Sequence, residues 1–147
     1  MKRFLLIGAV MVWSVSMAFA HDPQKFSPEK FQADLEQYIT NEAGFTPEEA
    51  AKFFPLYREM QKKQRVVYNK MRELFKVPSD EASSKRAIQR RDQYEIELRS
   101  IQQTYHNKFL KVVSATKVYK SIIAEDKFHR HAFRNWGQGG HRGGPRK

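Results

Sequence analysis

Hydrophobic positions recur three and four residues apart over most of this chain, the spacing of helices that bury one face. Ser27-Pro28-Glu29 opens a first helix, with Ser27 as N-cap and Pro28 at the first helical position. Phe26 and Phe31 stand at the positions of a hydrophobic staple, Phe31, Leu35, Tyr38 and Ile39 form the apolar face, and Gly44 is the C-cap. Thr46-Pro47-Glu48-Glu49 opens a second helix, with Glu49 placed to close a capping box. Its seam alternates four and three through Phe53, Tyr57, Met60, Gln64, Val67, Met71 and Leu74, the heptad pattern of supercoiled helices. Pro55 falls inside this run and predicts a kink, or a break into two elements.

Val77-Pro78-Ser79-Asp80 makes a turn, and a third helix runs from near Asp80 to about Val112. Ala87, Arg91, Tyr94, Leu98, Ile101, Tyr105 and Val112 repeat the heptad spacing, with Lys108 and Phe109 filling the gap. Two facing seams joined by a short turn predict an antiparallel hairpin of ~30 residues per arm, ~45 Å long. A fourth helix begins after Ser114-Ala115-Thr116 and carries Val118, Tyr119, Ile122, Ile123, Phe133 and Trp136 on one broad face. No glycine interrupts the chain between Gly44 and Gly137. The fold class expected is all-α, four helices around one long antiparallel hairpin, in a domain spanning residues 21–136. The glycine-rich, basic segment 137–147 is expected to be disordered.

The first twenty residues have the pattern of an export signal. Lys2-Arg3 precede an apolar run from Phe4 to Val15, and Ala18-Phe19-Ala20 places small residues where a signal peptidase reads. The run is shorter than the ~20 residues of a membrane span. Cleavage after Ala20 would leave His21 as the N-terminus of a periplasmic protein. The chain has no cysteine, which excludes disulfides, thiol catalysis, thiolate metal sites and a lipoprotein anchor.

The formal net charge of +11 would ordinarily suggest nucleic acid, but an exported chain seldom meets it. The charge is also segregated. His21–Ala50 holds two basic and seven acidic residues, whereas the remainder to Lys147 holds 23 basic and nine acidic. Such a dipolar chain could pair head to tail with a second copy or hold an acidic partner.

Beside the seam of the second helix lies a stripe of Phe54, Arg58, Arg65, Tyr68 and Arg72, ending at Lys76. The three arginines are seven apart and share one flank, offering apolar, cation–π and long-range electrostatic contact to an acidic or unfolded segment. Alternatively their stems lie across the seam and cover core residues. The histidines are His21, His106, His129, His131 and His141. Asp126 and His129, three apart, form a feasible carboxylate–imidazole pair but supply only two metal ligands, short of a closed zinc site. No metal site or cofactor is expected. No catalytic triad, glycosidase carboxylate pair or phosphate loop is visible, so the chain is not expected to be an enzyme.

A leader, no cysteine, a short helix and a capped Phe45-Thr46-Pro47-Glu48-Glu49 start to a long basic helix together resemble the Spy/CpxP family of periplasmic proteins. That family carries an LTxxQ motif, usually twice. In the first copy here Phe replaces Leu and Glu replaces Gln. A second copy would be Val113-Ser114-Ala115-Thr116-Lys117, where only the cap chemistry survives. The resemblance implies a homodimer of long hairpins whose basic, apolar-dotted concave face holds unfolded envelope proteins without ATP. Phe54, Arg58, Arg65, Tyr68 and Arg72 would then contact the client. The alternative it implies is an envelope-stress or heavy-metal sensor that binds a membrane partner.

Overall fold

The computed structural model describes residues 27–139, with side chains described to Arg134. The described residues are helical: α1 (Pro28–Ala43), α2 (Pro47–Arg72), a 3₁₀ turn (Glu73–Phe75), α3 (Glu81–Phe109) and α4 (Ala115–Gly139). The leader, Phe26 of the staple, His21, His141 and residues 140–147 lie outside the described residues.

Each helix begins where its first polar side chain satisfies an otherwise unpaired backbone donor. The Ser27 hydroxyl accepts from the Lys30 N–H at 3.2 Å, and the Asp80 carboxylate from the Ser83 N–H at 2.8 Å. The capping box of α2 is complete: Thr46 Oγ1 accepts from the Glu49 N–H at 3.2 Å, and Glu49 Oε2 from the Thr46 N–H at 2.9 Å. Ser114 Oγ accepts from the Lys117 N–H at 3.4 Å, so α4 starts at Ala115, earlier than the sequence pattern suggests. α1 ends at Gly44, whose φ of 67° is the left-handed conformation glycine adopts without strain.

Of the two readings of Pro55 the break into separate elements does not occur, and the expected end of the last helix is corrected. α2 is uninterrupted through Pro55, which lies exposed. There its lost N–H bond is offset by the packing of the aromatic residues around it. α4 runs on to Gly139 rather than stopping at residue 136, because each added residue completes one hydrogen bond on an established helix.

α2 and α3 pair antiparallel, and α1 pairs with α4. The two pairs meet through large side chains. Phe53 is the hub: its ring lies 4.7 Å from Phe45, 5.3 Å from Phe54, 5.8 Å from Tyr57 and 4.4 Å from Phe109. Leu35, Ile39 and Ala43 of α1 and Val118 and Ala124 of α4 complete the core. The small Ala43, Ser121 and Ala124 are all buried, which suits the close pairing of α1 with α4. Phe128 fills the far end, edge-on to Phe31 at 5.2 Å and tilted against Tyr38 at 5.7 Å. The buried stripe of α4 is therefore Val118, Ser121 and Ala124, extended by the half-buried Phe128. Tyr119 and Phe133, expected on its inner face, are 66% and 68% exposed, because pairing with α1 turns them outward.

The predicted heptad seam is buried only in its proximal half. Phe53, Tyr57, Met60, Gln64 and Val67 are buried against Leu98, Tyr105 and Phe109. Met71, Leu74, Ala87 and Tyr94 are half-buried, and Arg91 is exposed, paired with Glu95 on its own helix. Lys63 and Lys108 lie over the Tyr105 ring at 5.6 and 4.4 Å, closing the seam from solvent.

Candidate binding surface

The sequence segregates acid and base, and the fold brings them together within one chain. Glu36 of α1 receives Arg58 of α2 through two guanidinium hydrogen bonds, the Nε one at 2.8 Å. Glu42 of α1 lies 3.6 Å from Lys127 of α4, and Glu49 of α2 pairs with Lys117 of α4. Burial pushes the Glu36 carboxyl up, but the bonds from Arg58 and Gln32 outweigh it and hold it below the usual carboxylate range. Glu49 is likewise held low, chiefly by the Lys117 ammonium and then by the Thr46 N–H. Acidic residues of α1 and the start of α2 thus neutralise base on α2 and α4.

The pair Glu49–Lys117 joins the two motif-like segments, Phe45–Glu49 and Val113–Lys117. Their leading residues, Phe45 and Val113, are both buried in the same core cluster. One turn-pair further on, the buried Tyr57 hydroxyl donates to Glu125 Oε1 at 2.8 Å. Both contacts span 68 residues, so α4 runs in the same sense as α2. Burial, then the Glu125 carboxylate, push the Tyr57 phenol far up, and it acts only as a donor.

The predicted stripe divides three ways. Phe54 is core, 7% exposed and edge-on to Phe53 and Tyr57, so it does not belong to an open surface. Arg58 is exposed but committed to Glu36, which makes it an internal tie rather than a free cation. Their correction has one cause: α1 and α4 cover the first half of α2. Arg65, Tyr68 and Arg72 are exposed, and neither arginine is in an ion pair among the described residues.

Arg65 and Tyr68 line a groove of about 560 Å³ between α2, α3 and α4, with Arg99 and His106 on the α3 wall and Glu125 and Asp126 on α4. One wall is cationic and the other anionic. Burial pushes the His106 imidazole down, against an opposite pull from Glu125. His129 lies 3.9 Å from Glu125, one helical turn away, rather than pairing with the expected Asp126. Among the described residues no cluster of three His, Cys, Asp or Glu could hold a metal ion.

From Tyr68 to Glu97, thirty consecutive residues, not one side chain is buried. Exposed here are Tyr68 (54%), Phe75 (72%), Val77 (85%), Ile88 (62%) and Ile96 (69%). This distal arm was not separable from the base by pattern, because its seam continues the same heptads. What distinguishes it is that none of its side chains is buried. No protein-family model, no curated protein and no solved structure matches this chain.

Proposed function

We propose that this is an exported, ATP-independent binding protein that holds unfolded or stressed envelope proteins on the distal arm of the α2–α3 hairpin, as a homodimer. The observation that carries the proposal is the thirty-residue arm without a buried side chain, which extends ~25 Å beyond Leu98. Two packed helices with a half-buried seam leave apolar area open to a partner, and scattered apolar contact flanked by mobile cations is tolerant of client sequence. Arg65, Tyr68 and Arg72 of α2, joined by Arg99 of α3, form the capture strip. The adjacency of the two motif-like segments through Glu49 and Lys117 supports the family resemblance, and with it the periplasmic setting and the dimer.

Capture on such a strip is electrostatically steered and loses strength as salt rises. The test is aggregation of a denatured client in the presence of residues 21–147 across a salt series. The expected result is protection that falls with ionic strength and is largely lost in R65A/Y68A/R72A, with the helical content of the variant unchanged. Full protection by that triple variant would overturn the assignment.

A further inference from the structure

We propose that the tip of the hairpin is a docking element for an anionic lipid surface, with Phe75 and Val77 entering the headgroup region and the surrounding cations holding the lipid phosphates. The tip is the 3₁₀ turn Glu73–Phe75 and the loop that follows it to the Asp80 cap of α3. Phe75 and Val77, two residues apart in that short connection, are 72% and 85% exposed. A loop does not ordinarily present two large apolar side chains to water at its farthest point. Ile88, 62% exposed, follows two turns down α3.

The charge around them has one sign in excess. Residues 73–91 hold five basic side chains against Glu73, Asp80 and Glu81. Asp80 is occupied in capping α3, where the Ser83 N–H holds its carboxyl below the usual range. Lys76, Lys85, Arg86 and Arg90 are exposed, and none is in an ion pair among the described residues. Lys76, Arg86 and Arg90 border the same tip groove as Val77, a space of about 510 Å³.

Shape favours a lipid surface over an acidic protein as the occupant. The apolar side chains stand at a protruding end, Phe75 and Val77 largely exposed and Val77 at the rim of the open tip groove, so a protein partner would need a cavity complementary to them. A bilayer interface accepts a convex apolar tip as it stands. Reversible anchoring takes two signals, a modest apolar insertion and a cluster of cations, and this tip carries both. No helix among the described residues is long and apolar enough to cross a membrane, so the contact is peripheral. The ~25 Å arm keeps the four-helix base clear of the surface.

The proposal is independent of client capture, because it uses neither Arg65, Tyr68 nor Arg72. The experiment is flotation of residues 21–147 with vesicles of phosphatidylcholine alone and of phosphatidylcholine mixed with phosphatidylglycerol. Each cation near an anionic surface strengthens partition about fivefold. The expected preference for the mixed vesicles is therefore tens-fold or more, and K76Q/R90Q should reduce it by about tenfold or more. F75S/V77S should weaken binding by about tenfold without changing helical content. The chain has no cysteine, so a single Val77→Cys takes an environment-sensitive fluorophore at the tip alone. Its emission should shift to the blue on mixed vesicles, while the same label at Ala51→Cys, on the base, stays in water. Equal binding to both vesicles, undiminished binding by F75S/V77S, or a tip label that stays in water would each overturn the proposal. So would a tip that ignores vesicles and binds an acidic peptide.

Discussion

Arg58 reads as a client contact in the sequence and as an internal tie in the fold, and the two roles separate in a double-mutant cycle with Glu36. The Glu36 side chain is 14% exposed and accepts from Gln32 Nε2 at 2.9 Å as well as from Arg58, whose own side chain is 60% exposed. A two-point guanidinium–carboxylate contact is stronger than a single exposed bridge, but the open side of Arg58 leaves it screened by water. The coupling is therefore set at about 1 kcal/mol, near the top of the exposed range. Arg58→Ala alone costs somewhat more, about 1–2 kcal/mol, because Glu36 stays half-buried with only an amide donor. For a chain of this size 1 kcal/mol corresponds to about 4 °C in Tm. Thermal unfolding of the wild type, R58A, E36Q and R58A/E36Q gives the coupling directly. Its pH dependence has a definite sign. The Glu36 carboxyl is held below its ordinary 4.5 in the folded state, so the stabilisation is full above that value and fades as pH falls through the lower folded one. Client protection by folded R58A should equal that of the wild type. A coupling below about 0.3 kcal/mol, or one unchanged on acidification to pH 3, would refute the reasoning.

Two further outcomes follow from burial along α2. Phe54→Ala removes a ring from the aromatic core and should cost about 3–4 kcal/mol by denaturant unfolding, whereas Tyr68→Ala, at 54% exposure, should cost less than about 1 kcal/mol and act on client protection instead. Pro55→Ala restores a backbone donor in an uninterrupted helix and should raise stability by about 1–3 kcal/mol. A fall in Tm would mean that the proline is needed for the path of α2.

Three helix starts were legible in the sequence, because caps are local chemistry: Ser27, Thr46 with Glu49, and Asp80 all act where their spacing to the next donor requires. The proximal seam was legible for the same reason, since period alone identifies an inward face. Three things were not. Phe54 and Tyr68 look alike beside the seam, and only the placement of α1 and α4 decides that one is core and the other surface. The acidic start and basic remainder could serve a second copy or an acidic partner, and the sequence did not show that they also meet within one chain. Glu36–Arg58, Glu42–Lys127 and Glu49–Lys117 are long-range pairs that depend on how four helices stack. The division of the hairpin at Val67 and Leu98 leaves no mark in the heptads, which run straight through it.

That division also makes the arm a variable length of coil. The base is closed by residues before Val67 and after Leu98, so for it the arm is one long connection, and the entropy of closing a connection grows only with the logarithm of its length. One heptad added to or removed from both α2 and α3 moves the tip by about 10 Å and leaves every core contact in register. Reach is thus open to selection independently of stability, and a change of a single residue on one helix alone is what the seam resists.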